Sequence, residues 1–281
     1  MSEMIFDAIK DSLVVFPFLF LVYVLMEIIE GAKNKERIER ALSGSFAPFA
    51  AAALGIVPEC GMSAMFSKLY SDGYITAGTL IAAFISTSDE GLIVLLSSGV
   101  PIKDIGIIIL YKILFGLFFG LLVNTATRRF KREHVCPKRG DCIECGEHHE
   151  GVFDTLVFHP FYHAAKTFLY ILAINLVLGF IIYSLGEQNV ELFLRRGEGL
   201  QPLLAAVVGI VPNCASSIIL ARGYVSGFLS FSGLMAGLCA NSGIGLLIIF
   251  KDKKGLKKAL SVAATLFVSA VIIGYVVYFI S

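Results

Sequence analysis

Charged side chains are scarce in this chain of 281 residues, at 16% against the roughly 25% usual in soluble domains. Hydrophobic residues make up 57%, and the mean hydropathy is +0.81. A soluble globular domain is thereby disfavoured, and an integral membrane protein is the expectation. Histidine is missing from the apolar runs, since all five lie between residues 134 and 163. No nucleophile and histidine pair therefore falls within a span, which argues against an intramembrane enzyme. No P-loop is present, so the chain is not expected to hydrolyse ATP. Nothing in it calls for an organic cofactor or for nucleic acid. The alternating pattern of a barrel strand is also lacking.

What is present is long and apolar. Residues 12–29, 103–123, 166–185 and 260–280 each approach the roughly 20 residues that a spanning helix needs. The first run follows an acidic start and has no small-residue cleavage pattern, so it reads as a retained helix rather than a signal peptide. Charge is distributed unevenly around these runs. Residues 31–45 carry four basic and two acidic side chains, 125–139 six and one, and 251–258 five and one. Residues 1–11, 97–104 and 186–199 are neutral or acidic. The positive-inside rule places the first three segments in the cytoplasm and the others outside. Both termini are then expected outside and the central linker in the cytoplasm, with the protein multi-pass in a prokaryotic cytoplasmic membrane.

A repeat runs through the chain. A shift of 154 residues carries Gly55-Ile56-Val57-Pro58-Glu59-Cys60 onto Gly209-Ile210-Val211-Pro212-Asn213-Cys214 without a gap. The same shift pairs Ser63 with Ser217, Tyr70 with Tyr224, Gly73 with Gly227, Ser88 with Ser242 and Gly91 with Gly245. Because the first copy starts outside and the second inside, the copies have opposite orientations. The expected fold is an all-α polytopic membrane protein of two inverted-topology repeats with broken or re-entrant helices. Its parts are residues 1–127, a Cys/His-rich cytoplasmic linker at 128–162, and residues 163–281. Inverted repeats of this kind build secondary transporters, with the substrate near the bilayer midplane. Runs 46–57, 61–70, 202–211 and 215–221 are each too short to span, which predicts helix breaks at Pro58 and Pro212. Such breaks must be buried or line a cavity. A second discontinuity is expected where Ser86, Thr87, Ser88, Asp89, Glu90 and Gly91 interrupt 74–97, and at its counterpart Ala240 to Gly245.

The polar residues at these breaks are the candidate site. Cys60 and Cys214 offer thiolates to a soft metal or metalloid, and Glu59, Asn213, Ser63, Ser217, Ser88, Asn241 and Ser242 can complete a mixed sulfur and oxygen shell. Asp89 and Glu90 are the candidates for proton coupling, because carboxylates at membrane depth are costly unless they serve a function. The free N–H groups after Pro58 and Pro212 favour an anion instead. Lys68 and Arg222, at matched positions, either counter the carboxylates or receive that anion, unless they snorkel to an interface. Lys112, inside a span, is a further cation that sequence cannot place. The cargo is thus a soft cation or metalloid if the thiols coordinate, and an oxyanion or organic acid if backbone donors dominate.

In the linker, Cys136, Cys142, Cys145, His148 and His149 form a Cys-x5-Cys-x2-Cys-x2-His-His arrangement, a zinc-like sulfur and nitrogen set. A disulfide framework is disfavoured in a reducing compartment. Gly116-x3-Gly120 has the spacing of close helix packing, by which a homo-oligomer is one expectation.

The two Pro-[Glu/Asn]-Cys motifs, the repeat and the Cys136, Cys142, Cys145, His148, His149 cluster together resemble the bacterial and archaeal ten-transmembrane heavy-metal exporters, also labelled arsenic efflux proteins. The resemblance covers nearly the whole chain. It implies a non-enzymatic membrane efflux transporter for a heavy metal or metalloid, with about five helical segments per half. A more distant similarity, to organoarsenical permeases, rests on a cysteine after a proline in a membrane segment, although here Cys60 and Cys214 stand singly.

Overall fold

The computed structural model describes residues 47–55, 60–87, 90–130, 197–251 and 256–280, with isolated positions elsewhere. Ten α-helices have complete bounds among the described residues. The first five are α1 (Ala47–Leu54), α2 (Cys60–Ser71), α3 (Ala77–Ser86), α4 (Glu90–Ser97) and α5 (Ile102–Phe130). A 3-10 turn, Glu198–Leu200, leads into α6 (Gln201–Gly209), α7 (Cys214–Val225), α8 (Phe231–Ala240), α9 (Gly245–Lys251) and α10 (Leu256–Ile280). No strand occurs among the described residues, so the chain is an all-α membrane bundle. A displacement of 154 residues carries α2 onto α7 and α3 onto α8 bound for bound, and the start of α5 onto the start of α10.

Local chemistry accounts for the matched boundaries. Thr76 and Ser230 cap α3 and α8, accepting the N–H groups of Thr79 at 3.3 Å and Gly233 at 3.2 Å. Before each cap, α2 and α7 close through a glycine at positive φ, Gly73 at 83° and Gly227 at 76°. Tyr74 N–H then reaches back to the Leu69 carbonyl and Phe228 N–H to that of Gly223, which satisfies the orphan carbonyls of the last turn. The expected break at Pro212 is present: α6 ends at Gly209, three residues bend, and α7 begins at Cys214. At lengths of 8 and 12 residues, α1 and α2 rise about 12 and 18 Å, well short of the roughly 30 Å hydrocarbon core.

Four stretches are long and apolar enough to cross a membrane: Ala77–Ser97, Ile102–Thr127, Phe231–Lys251 and Leu256–Ile280. Two of these were expected as whole spans, and the other two contain the expected discontinuities at Ser86 to Gly91 and Ala240 to Gly245. The other two expected spans, at 12–29 and 166–185, lie mostly outside the described residues; the positions described there, such as Phe16, Phe20, Leu169 and Phe180, are helical. The four stretches differ in environment. Burial takes in 80% of the first and 94% of the third, but only 33% and 39% of α5 and α10. Hence α3–α4 and α8–α9 are the broken central spans. The outer helices α5 and α10 present Leu110, Leu114, Phe118, Val268, Ile272 and Phe279 outward, as a lipid-facing surface requires.

Small residues bring the outer helices close. A Cβ on Gly120 of α5 would stand 2.7 Å from the Ala82 Cβ of α3, and one on Gly274 of α10 would stand 2.6 Å from the Ala236 Cβ of α8. These two contacts correspond under the 154-residue shift. Gly116 likewise faces the Ala82 carbonyl, at 2.9 Å from a built Cβ. The Gly116-x3-Gly120 pair is therefore used inside the chain, against α3, and no longer argues for an oligomer.

Candidate functional site at the paired helix breaks

Both central spans break at corresponding residues for related reasons. Thr87 ends α3 with ψ at 126°, and Asn241 ends α8 with ψ at 115°. Each still sends its N–H back to the helix, to Ala83 and Gly237. In the first break, the Ser86 hydroxyl donates to the Ala82 carbonyl at 2.8 Å and the Thr87 hydroxyl to that of Ala83 at 2.6 Å. Such back-bonding competes with the helix ladder. In the second, the Asn241 Oδ1 accepts the Gly243 N–H at 2.8 Å, and Gly243 turns the chain at φ 53°.

That bond decides what Asn241 offers. Its oxygen is held by a backbone donor, so the group left over is the Nδ2 amide, a donor. Asn241 and Ser242 are both fully buried, and among the described residues neither Asn241 Nδ2 nor Ser242 Oγ has a hydrogen-bond partner. A buried polar group without a partner costs stability, so two adjacent ones mark a place where something else bonds.

The halves meet here by exchange. The start of α9 lies on α2, where a Cβ on Gly245 would stand 2.8 Å from the Ser63 carbonyl and 2.7 Å from Ser67 Oγ. The start of α4 lies on α7, where a Cβ on Gly91 would stand 3.0 Å from the Ser217 carbonyl. Thus the helix following each Pro-x-Cys motif seats against the broken span of the opposite half. Ser63 and Ser217 are both buried completely at these crossings. The structure accordingly brings Ser63, Ser217, Asn241 and Ser242 into one central region.

Among the described residues, Lys112 of α5 supplies a charge to that region. It is 1% exposed, and its ammonium donates to the Thr87 carbonyl at the end of α3 and, at 3.2 Å, to the Leu238 carbonyl in the last turn of α8. A cation between two helix C-termini meets the partial negative charge of both. Sequence reasoning singled out Lys112 without finding this role. The signal was its standing as the lone charged residue between Ile105 and Thr127. Leu266, fully buried, takes the corresponding place in the second half, so the centre is chemically asymmetric. Cys239, fully buried beside Leu238, adds a free thiol at the same helix end.

Other candidates fall elsewhere. Asn213 caps α7, its Oδ1 accepting the Ala215 N–H at 3.2 Å, and Ser216 closes the bend by donating to the Asn213 carbonyl at 2.6 Å. Lys68 pairs with Asp72 at 2.9 Å near the end of α2, partly exposed, and Arg222 is exposed on α7. These two basic residues lie outside the central region. Cys60, Glu90 and Cys214 are the first residues of α2, α4 and α7, and their side chains lie outside the described set. So do residues Glu59, Ser88, Asp89, Cys136, Cys142, Cys145, His148 and His149. Among the described residues no group of three or more Cys, His, Asp and Glu side chains is placed to hold a metal.

The chain was compared with known proteins. A family model described as "Putative, 10TM heavy-metal exporter" matches residues 1–183 and 162–281. No curated protein and no solved structure matches the chain.

Proposed function

The chain belongs to this family of membrane heavy-metal exporters, which makes it a transporter rather than an enzyme, and from that premise we propose a specific mode of transport. The protein is a secondary transporter that exports a heavy metal or metalloid through a midplane site built by both halves, which are inverted-topology repeats flanking the 128–162 linker. The observation that carries this reading is the reciprocal seating of α2 on α9 and α7 on α4. A site whose walls come from both halves opens to one side or the other when the halves rock against each other. The inverted sense is supported by the basic stretch 251–258 before α10 and the neutral stretch 97–104 before α5.

In this mechanism Cys60 and Cys214, at the first positions of α2 and α7, supply soft ligands, and Glu59, Ser63, Asn213, Ser217 and Ser88 supply oxygens. Asp89 and Glu90 take up protons as cargo leaves. Lys112 holds the two helix ends together. The linker thiols and imidazoles of Cys136, Cys142, Cys145, His148 and His149 suit zinc, which would clamp or sense there.

A second reading, transport of an anion or organic acid, is favoured by one observation. The orphaned groups at Asn241 and Ser242 lie near the end of α8 that holds Lys112, and an amide N–H and an ammonium can only donate. Its expected support from Lys68 and Arg222 is withdrawn, since both lie outside the centre.

Elemental analysis of the purified protein, followed by a liposome flux panel over metals, metalloids and oxyanions at several pH values, tests both readings. The first expects stoichiometric metal or metalloid, flux lost in Cys60→Ala and Cys214→Ala, and a pH dependence removed by Asp89→Asn with Glu90→Gln. Undiminished flux in both cysteine variants would eliminate thiol coordination.

A further inference from the structure

Two clefts open at related positions of the bundle, and they differ in chemistry. One, of about 380 Å³, is lined by Asp104, Tyr111 and Phe115 of α5, Tyr224 of α7, Phe231 of α8 and the aliphatic end of α10. The other, of about 310 Å³, is lined by Lys257, Lys258 and Thr265 of α10 with Tyr70 of α2, Ala77 of α3 and the end of α5. Under the 154-residue shift Lys258 stands for Asp104, Thr265 for Tyr111, Ala77 for Phe231 and Tyr70 for Tyr224. The bundle thus builds the same cleft twice, once acidic and aromatic and once basic and hydroxylated. A general belt of aromatic residues at the membrane surfaces does not account for the difference, because such belts occupy both surfaces. The shared residues are the tyrosine pair and an aliphatic pair, Val123 and Val277.

The rings of the first cleft form a continuous wall. Tyr111 lies 6.0 Å from Phe115 and 6.4 Å from Phe231, and Tyr224 lies 6.2 Å from Phe231, with interplanar angles of 44°, 54° and 59°. Rings set at such angles are not stacked in parallel, so their faces are not all covered by one another. Each face carries the negative side of a quadrupole, and Asp104 adds a carboxylate. Lys103 and Lys112 of α5 and Arg222 of α7 do not line the cleft, and the Lys112 ammonium is taken up by the Thr87 and Leu238 carbonyls. Its electrostatics select a cation. Its apolar wall selects one with weak hydration, because ring faces cannot replace the water shell of a small metal ion. Alkylated onium ions meet both conditions.

We propose that the Asp104 cleft is a binding site for a small alkylated cation of the quaternary ammonium class, with Asp104 compensating its charge and Tyr111, Tyr224 and Phe231 presenting ring faces to its methyl groups. The site is separate from the central helix breaks. Its occupancy is read by binding alone, so it stands whether or not the export reading holds.

Tetramethylammonium titrated into the purified full chain in dodecyl maltoside provides the test, read by calorimetry and by tyrosine fluorescence, which no tryptophan obscures in this chain. Saturable binding at one site per chain is expected, undiminished by equimolar sodium. Asp104→Asn and Tyr224→Leu should each weaken it by about threefold to tenfold, and Tyr70→Leu in the related cleft should leave it unchanged. Thermal melts establish that each variant is folded; should Tyr224→Leu fail that check, Phe115→Leu replaces it. Wild-type affinity in both cage variants, or non-saturable uptake by the native chain, overturns the proposal. So does a loss confined to Asp104→Asn, which is the mark of plain surface charge. Repeating the titration in phosphatidylcholine nanodiscs identifies the natural source. Unchanged affinity assigns a free cation, and weakened affinity assigns competing lipid choline; either outcome keeps the cage.

Discussion

Lys112 ties the centre together, because its ammonium bonds to a carbonyl of each half. Its replacement by methionine keeps the apolar stem and removes the donors, leaving the Thr87 and Leu238 carbonyls without their partner. Loss of these charge-assisted bonds should lower the unfolding free energy by about 1–3 kcal/mol. A denaturation midpoint in mixed micelles checks this, with Lys112→Arg expected to recover part of the loss. Ser242 predicts the opposite behaviour. Its hydroxyl is buried and has no partner among the described residues, so Ser242→Ala should leave stability unchanged or raise it by up to about 1 kcal/mol. Cargo flux should nevertheless fall. A serine that merely packs would show no flux defect, so stability and flux measured together separate the two roles. Asn241→Asp is the matching variant for its neighbour, since it keeps the acceptor for the Gly243 N–H and removes the orphaned donor.

Helix packing raises the question of how closely two elements approach. Gly120 and Gly274 occupy related positions, and each lets an outer helix touch a central one. Alanine at either should cost about 1–3 kcal/mol through overpacking, and the two costs should be similar because the contacts correspond. Gly106, on the same helix as Gly120, has nothing within 4 Å of a built Cβ. Gly106→Ala should therefore stabilise by about 0.5–1 kcal/mol, the ordinary gain of alanine over glycine in a helix. Thermal melts of the three variants distinguish contact from helix propensity. The element boundaries were largely legible beforehand. Proline and the Ser-Thr-Ser row act on their own backbone within a few residues, so their effect is written locally, whereas the caps at Thr76 and Ser230 were first seen in the structure. The exchange of α2 and α7 between halves was not legible. It depends on contacts between residues such as Ser63 and Gly245, distant along the chain.

For the molecule as a whole, the two long outer helices follow the same plan, and the proposed inverted topology puts their starts on opposite sides of the membrane. In a background without the six native cysteines, Ser98→Cys and Lys257→Cys should be labelled by an impermeant maleimide from opposite faces of sealed vesicles. Labelling of both from one face would mean that the repeats run parallel, and the inverted reading would be abandoned. The ten bounded helices do not make ten crossings, because the short ones are too brief to span alone. Their pairing into broken spans is what leaves backbone carbonyls and polar side chains at membrane depth.

Composition and periodicity by themselves determined that this is an all-α membrane protein, repeated at 154 residues and interrupted at Pro212 and at the rows around Thr87 and Asn241. These are properties of single segments, set by how each exchanges water for lipid or for its own hydrogen bonds. Tertiary structure alone decided which breaks meet, that Lys112 bridges helix ends of both halves while Lys68 pairs locally with Asp72, and that Asn241 Nδ2 and Ser242 Oγ find no hydrogen-bond partner among the described residues. Those outcomes turn on distances of a few ångströms between residues up to 182 positions apart, as Ser63 and Gly245 are. Burial then converts a serine or lysine of ordinary sequence into a group whose partner must come from elsewhere.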